Sequence, residues 1–467
     1  MTLYPTLAPR TLDGNAEQEL RLLDFKYAQP PALLPLYRRL RQHGLLYDER
    51  SRSWLCAHMS GLLSILSDGR FVSGRPAGSG TPPPTPGNVR GTHPAPGSTL
   101  RDRKASIARL LGRQLLVNDG TVHTRLQGIM NPVLRQMGHD MRASIEQRVE
   151  ALLDAIESAG RWEVVQDLAL PLVLGSMVQL LLGVKDLALD SLQQFNAWSQ
   201  ALASVTSGFF SLESMQHVLA MQEAFHVLLA HTREALDSDL LSVLVADPRW
   251  QDDDELVANA MMLLAAGSVT TTKALIQSLW LLLQDAHAWA HLRTELLACT
   301  DARAQVQLLK PLVEWLLCRV TPTRYVVRWA TQDSTIEGKR IQAGQQVYLF
   351  LEGANDALVR QETPFDDAAP AAAHEQCPLL PGKPAPHVTF GSSRSPHYCP
   401  GAPLARLLLL HALQAVLLRF PSLQLAPVPV HPWGKNANLG ALVALPVIHI
   451  PERGAYASSS TDQSIAS

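Results

Sequence analysis

Apolar residues recur at i, i+3 and i+4 through most of the chain, as in I-E-Q-R-V-E-A-L-L-D-A-I from Ile145, and residues 141 to 235 read as helical scaffold. Strand signals are few and short. From Pro31, P-A-L-L-P-L-Y-R-R-L-R-Q-H-G-L-L-Y-D predicts an amphipathic helix closed by Gly44. Alternating runs around Trp54 and Leu55 suit a small sheet, and S-G-L-L-S-I-L-S-D-G-R-F from Ser60 returns to helix. Residues 254 to 284 are the longest apolar run, long enough to span a bilayer, but the centre holds Gly267, Ser268, Thr270, Thr271 and Thr272. Flexible glycine and stiff threonines make poor helix, so the run predicts a buried helix with a weak spot that a nearby ligand would explain. After Gly338 and Gly344, I-Q-A-G-Q-Q-V-Y-L-F-L-E-G-A-N-D predicts a turn and a strand ending at Ala354-Asn355-Asp356.

Three stretches break the pattern: a Pro/Gly-rich loop at 76–98, an Ala/Pro-rich meander at 357–389, and a polar tail at 452–467 expected to be disordered. None divides the chain into independent apolar patterns. The expectation is therefore one large domain over 1–467, mainly α with small β-sheets.

Charge and composition narrow the function. Hydrophobic residues are 46% and charged residues 18%, which supports a large core, and the net charge of −2 offers nothing for nucleic acid. Arg101, Arg103, Lys104, Arg109 and Arg113 cluster as a solvated helix face. The N-terminus carries neither a signal peptide nor a membrane-spanning run, so the expected location is cytoplasmic with no membrane. The five cysteines are odd in number, widely spaced and form no C-x-x-C pair, which argues against a disulfide framework.

One cysteine stands in an informative setting. In F-G-S-S-R-S-P-H-Y-C-P-G-A-P-L-A-R, residues 390 to 406, Cys399 follows a Gly/Ser/Pro loop, and Pro400 and Gly401 admit the chain to a Leu-rich helix. A sulfur at a helix N-terminus faces free N–H groups and the positive end of the helix dipole, which favour a thiolate.

Phe-Gly, a His two before the Cys, a Gly two after it and Leu-Ala-Arg beyond resemble the haem-ligand loop of the cytochrome P450 superfamily. That resemblance, over about residues 30 to 450, implies a P450-like domain with haem b (iron protoporphyrin IX) between the central helix and the Cys399 loop. Cys399 would be the metal ligand, with Phe390 and Gly401 beside the cofactor. His123, Arg328 in R-W-A, and His397 match positions that hold haem propionates. Ala266, Gly267 and Thr270, with Thr271, match the oxygen-binding stretch of the central helix. The implied activity is a monooxygenase acting on a small-molecule substrate with dioxygen. Electrons from NAD(P)H would arrive through a ferredoxin and ferredoxin reductase, since the chain has no flavin or nicotinamide fingerprint of its own. A monomer of the soluble bacterial type, tailoring a secondary metabolite, is the expectation.

The chain also departs from that family. Phe390 stands nine residues before Cys399 rather than seven, Gln127 replaces an Arg, and Val269 occupies the usual acid position. Where the family has Glu-x-x-Arg, counting back from Pro322 finds Trp315 and Cys318, while Glu314 and Arg319 lie about 140° apart round a helix. The buried ionic triad is therefore expected to be lost as a whole, its third member included, since F365-D366 is followed by D-A-A-P. Val269 motivates an alternative, a haem-thiolate enzyme that rearranges, dehydrates or couples its substrate. The missing triad motivates another, a haem-binding protein without oxygenase activity.

Overall fold

The structure is a computed structural model, and it describes residues 20–449 apart from 29, 77–98, 158–159, 186, 235–238, 363–385, 428–433, 435–437 and 441. The Pro/Gly-rich loop, the F365-D366 segment and the polar tail thus lie outside the described residues.

The N-terminal part runs α1 (Leu22–Tyr27), α2 (Pro30–His43), β1 (Leu46–Asp48), β2 (Ser53–Cys56), α3 (Met59–Leu66) and β3 (Phe71–Val72). Helices then dominate: α4 (Leu100–Gly112), α5 (Gly120–Asp140) and α6 (Arg142–Glu157) precede β4 (Arg161–Glu163). Next come α7 (Leu170–Leu182), α8 (Leu189–Thr206), α9 (Leu212–Glu234) and α10 (Leu240–Val245). The middle of the fold is α11 (Asp253–Leu282), followed by α12 (Ala286–Ala298) and α13 (Ala302–Val320). The remainder is β5 (Tyr325–Ala330), β6 (Ser334–Ile336), β7 (Lys339–Ile341), β8 (Gln346–Phe350), α14 (Leu351–Glu362), α15 (Ala402–Arg419), β9 (Gln424–Leu425) and β10 (Pro446–Ile448).

The 30-residue α11 is about 45 Å long and apolar nearly all round, as a helix buried on all sides must be. Asp252 caps it by accepting from Glu255 N, and Asp253, Asp254 and Glu255 set negative charge against the positive end of its dipole. Helices α7, α8, α9, α13 and α15 pack against it in one continuous helical core. The segments Val164–Leu182 and Ala402–Arg419 are apolar and long enough to cross a membrane, and both contribute to that core.

A five-stranded sheet, ordered β1-β2-β8-β5-β3, lies over a second core containing Trp54, Leu62, Ile65 and Val347. β8 pairs in parallel with β2 and antiparallel with β5, so Val347 lies between Trp54 and Arg328. A three-stranded sheet, β4-β10-β9, joins residues nearly 300 apart, a pairing no local pattern announced. The structure also corrects one boundary. Ala354, Asn355 and Asp356 lie inside α14, not at a strand end, and 357–362 continue that helix rather than opening a meander.

Candidate functional site

The Cys399 loop is closed by its own backbone. Cys399 N donates to Phe390 O at 3.0 Å, and the residues between fold into turns, with Ser395 N on Ser392 O at 2.9 Å and Tyr398 N on Ser395 O at 3.1 Å. These turns absorb the extra length noted in the sequence. Cys399 Sγ accepts from the N–H groups of Gly401 and Ala402 at the start of α15. A Cβ at Gly401 would stand 3.8 Å from that sulfur, an ordinary contact, so Gly401 contributes its N–H rather than space. The expected thiolate is not what the chain alone favours: burial raises the Cys399 pKa, and the two N–H groups and Arg406 only partly oppose it. A charged sulfur in that pocket needs a nearby cation, and a bound metal would supply one.

Arg406 braces this loop. Its guanidinium carbon lies 4.5 Å from the Phe390 ring centre, and its Nε and Nη2 donate to Glu314 at 2.5 and 2.9 Å. His387 Nε2 meets the same carboxylate at 3.0 Å. Burial pushes the Glu314 carboxyl up, but the hydrogen bonds from Arg406 and His387 outweigh it and hold the pKa at about 2. Glu314 has therefore found partners the helical spacing did not offer, while Arg319 is exposed.

At the family's Glu-x-x-Arg position, Trp315 and Cys318 are buried and a neutral network takes over. Asn355 Nδ2 donates to Thr321 Oγ1 and Thr389 Oγ1, both at 2.9 Å, and Asn355 Oδ1 accepts from Val388 N at 3.0 Å. Thr389 Oγ1 donates to Leu317 O at 3.0 Å, and Thr321 Oγ1 to Cys318 O at 2.7 Å. Thr321 sits at φ +27°, rare for a β-branched residue, at the end of α13. The network thus pins a strained turn directly before β5. Sequence reasoning missed Asn355, Thr321 and Thr389, whose partners lie far apart in the chain.

A second polar cluster gathers several basic side chains round one acid. The rings of His123 and His397 are 4.2 Å apart, and His397 Nε2 meets Asp119 Oδ1 at 2.9 Å. Asp119 also accepts from Ser73 N and Gly74 N at 3.2 and 2.8 Å. Arg328 is buried, and burial lowers its pKa to about 10 despite the pull of Asp119. Burial, then the charges of His397 and Arg328, lower the His123 pKa to about 4. One acid serves three basic groups, so a ligand carboxylate would be welcome here. Gln127 is elsewhere: Nε2 donates to Pro396 O at 2.8 Å and holds the Cys399 loop from α5. Arg125 is also elsewhere, in a bidentate pair with Glu255 at 2.7 and 2.8 Å. Asp119, four residues before His123, was overlooked in the sequence.

On α11, Ala266 is exposed and Gly267 and Thr270 are half-buried, although neighbours on either side are buried. In the middle of an interior helix, such an accessible strip is where a ligand could approach. Thr270 Oγ1 donates to Ala266 O at 2.7 Å, the back-bonding that satisfies a helical threonine hydroxyl and tends to bend the helix. Thr271 and Val269 are buried at 5% exposure. The space that Gly267 leaves is taken by Met177 of α7, whose Cε would stand 2.5 Å from an added Cβ, so this glycine serves helix packing.

A sulfur at a helix start, a basic pocket short of negative charge and an accessible strip on the central helix fit an iron porphyrin with carboxylate side chains. A family model described as Cytochrome P450 matches residues 96–432. Nocardicin C N-oxygenase of Nocardia uniformis subsp. tsuyamanensis is 30% identical, covering 84% of this chain and 89% of its own. Polyketide biosynthesis cytochrome P450 PksS of Bacillus subtilis (strain 168) is 29% identical over 71% of this chain and 77% of its own. Among solved structures, P450BioI in complex with an acyl carrier protein aligns with a TM-score of 0.71 at 23% identity, over 90% of this chain and 98% of that one. With a family match over most of its length and the thiol at the expected helix start, the chain belongs to the cytochrome P450 family of haem-thiolate oxidoreductases.

Proposed function

We propose that this protein is a haem-dependent monooxygenase that oxidises a small organic substrate in secondary metabolism, in the cytoplasm and as a monomer, with electrons from NAD(P)H delivered by a ferredoxin and its reductase. The observation that carries the reading is the half-buried Cys399, its sulfur held by two N–H groups at the start of α15. Relatives that act in polyketide and nocardicin chemistry support the metabolic setting.

In this reading Cys399 ligates the iron, and His123, Arg328 and His397 hold the propionates. The bound haem supplies dioxygen activation, with thiolate ligation favouring O–O cleavage. The chain's own part is to keep Cys399 oriented through Gly401, Ala402 and Arg406, and to offer the Thr270 hydroxyl on the accessible strip of α11. Val269 is apolar and buried, so it holds no proton there. A substrate carrying its own hydroxyl, amine or carboxyl would assist.

The reading is tested with purified haem-loaded protein. The ferrous carbonyl adduct should show the red-shifted Soret band of thiolate ligation, and Cys399→Ala should abolish it while Cys318→Ala keeps it. Thr270→Ala should lower product per reductant consumed and raise peroxide. Turnover without dioxygen and reductant would instead favour the rearranging enzyme.

A further inference from the structure

Lys273 is the only ionisable residue of α11 between Leu256 and Leu282. It is 2% exposed, and its Nζ donates to Pro322 O at 2.6 Å, its one hydrogen-bond acceptor among the described residues. Two further groups act on it. Arg324, on the link from α13 to β5, opposes a charge on the amine, whereas Glu352 of α14 favours one. Glu352 Oε2 lies 3.6 Å from Arg324 Nε and accepts from Tyr37 OH at 3.1 Å, and its side chain retains 16% exposure. The buried amine thus lies within the field of a carboxylate that reaches solvent.

A lysine is a poor way to fill this space. A methionine would occupy the same volume without the cost of desolvating an amine that has one acceptor for its donors. Burial, then Arg324, push the pKa of Lys273 well down despite Glu352, so its proton is loosely held. The residue also stands three after Thr270 and seven after Ala266, one and two turns along the same face as the accessible strip. Val269, at the position of the family's acid, cannot titrate.

We propose that Lys273 is the proton-holding residue of the central helix, taking protons from solvent by way of Glu352 and yielding them toward the hydroxyl of Thr270 on the accessible strip. An Nζ–H bond breaks as an O–H bond forms on the Thr270 side. The amine is then reprotonated from the Glu352 carboxyl, which recovers its proton from water, and nothing is oxidised or reduced. Lys273 acts through Thr270, and its use in turnover rests on the monooxygenase reading.

The first test is independent of that reading. Haem-loaded wild type and Lys273→Met are melted from pH 6 to 10.5. A lysine with a depressed folded pKa costs stability at low pH, and the cost fades as pH rises toward the ordinary value of 10.5. Lys273→Met should therefore melt above wild type at pH 6, with the gap closing as pH rises; a gap that does not change with pH overturns the proposal. The second test measures product per reductant consumed across the same pH range. Lys273→Met should lose about 100-fold in product-forming rate, the lower end for general acid–base groups, and lose the wild-type pH dependence, with the Soret band intact. Lys273→Arg should not rescue, because a guanidinium does not release its proton. Lys273→Gln keeps a donor for Pro322 O: an intact Soret band with product still lost supports proton holding, while recovery of product shows a tether only and refutes it.

Discussion

Two polar clusters, one built on Thr321 at the end of α13 and one including Arg328 of β5, differ in a way that separates a scaffold from a proposed site. Asn355, Thr321, Thr389 and the Val388 N–H form a neutral set in which both ends of the Asn355 amide are satisfied. Arg328, His123 and His397 gather round one acid among the described residues, Asp119; burial lowers the pKa of both Arg328 and His123, and the charges of His397 and Arg328 lower that of His123 further. A polar group buried with its partners in place stabilises the fold, whereas a surplus of one charge costs stability until a ligand of opposite sign arrives. Basic groups sharing a single acid are thus what the proposed propionate site has and the neutral cluster lacks.

The sharpest way to break this contrast is a pair of substitutions. Arg328→Met should accelerate haem loss to an acceptor protein at least about tenfold, since a charge-assisted bond is roughly twice as strong as a neutral one, while the haem-free protein melts no lower than wild type. Asn355→Leu should do the reverse, costing roughly 3 kcal/mol in both forms by stranding the Val388 N–H and removing the amide donor from two threonine hydroxyls. Equal losses from both substitutions in the haem-free protein would remove the distinction.

A smaller effect is expected from putting charge back where the neutral set now lies. Trp315→Glu with Cys318→Arg buries a new ion pair that must repay its desolvation, and we expect a lower melting temperature and less haem. A gain in either would show that the ionic arrangement is still the better one here.

The brace on the Cys399 loop has its own pH signature. The Glu314 carboxyl is held at about 2, below its ordinary value of 4.5, so its stabilising contribution is complete above pH 4.5 and lost as pH falls through 2. Glu314→Gln should be less stable than wild type at pH 7, with the two curves converging between pH 4.5 and 2 in chemical denaturation. Curves that stay parallel would show that Arg406 and His387 contribute nothing through that carboxylate.

The smallest effect belongs to Gln127→Ala, which removes one neutral, exposed hydrogen bond to Pro396 O. Its net worth of about 1 kcal/mol should alter haem loss by only a few-fold, clearly less than Arg328→Met.

The sequence by itself determined the elements whose causes are local. Apolar periodicity marked the helical scaffold, Gly44 closed α2, and the run from Phe390 to Arg406 placed a cysteine at a helix start because every residue that defines that turn is contiguous with it. The weak centre of α11 was legible for the same reason. Only the tertiary structure decided which charges meet. Glu314 reaches Arg406 across 92 positions, His397 reaches Asp119 across 278, and Lys273 reaches Pro322 across 49. Spacing within one helix governs pairs three or four residues apart, but it says nothing about partners brought together by packing. The same limit bears on the surroundings of Gly267 and Cys399. Met177 fills the first from another helix, and burial by the whole fold, which raises the thiol's pKa, outweighs the local dipole that sequence reasoning could see.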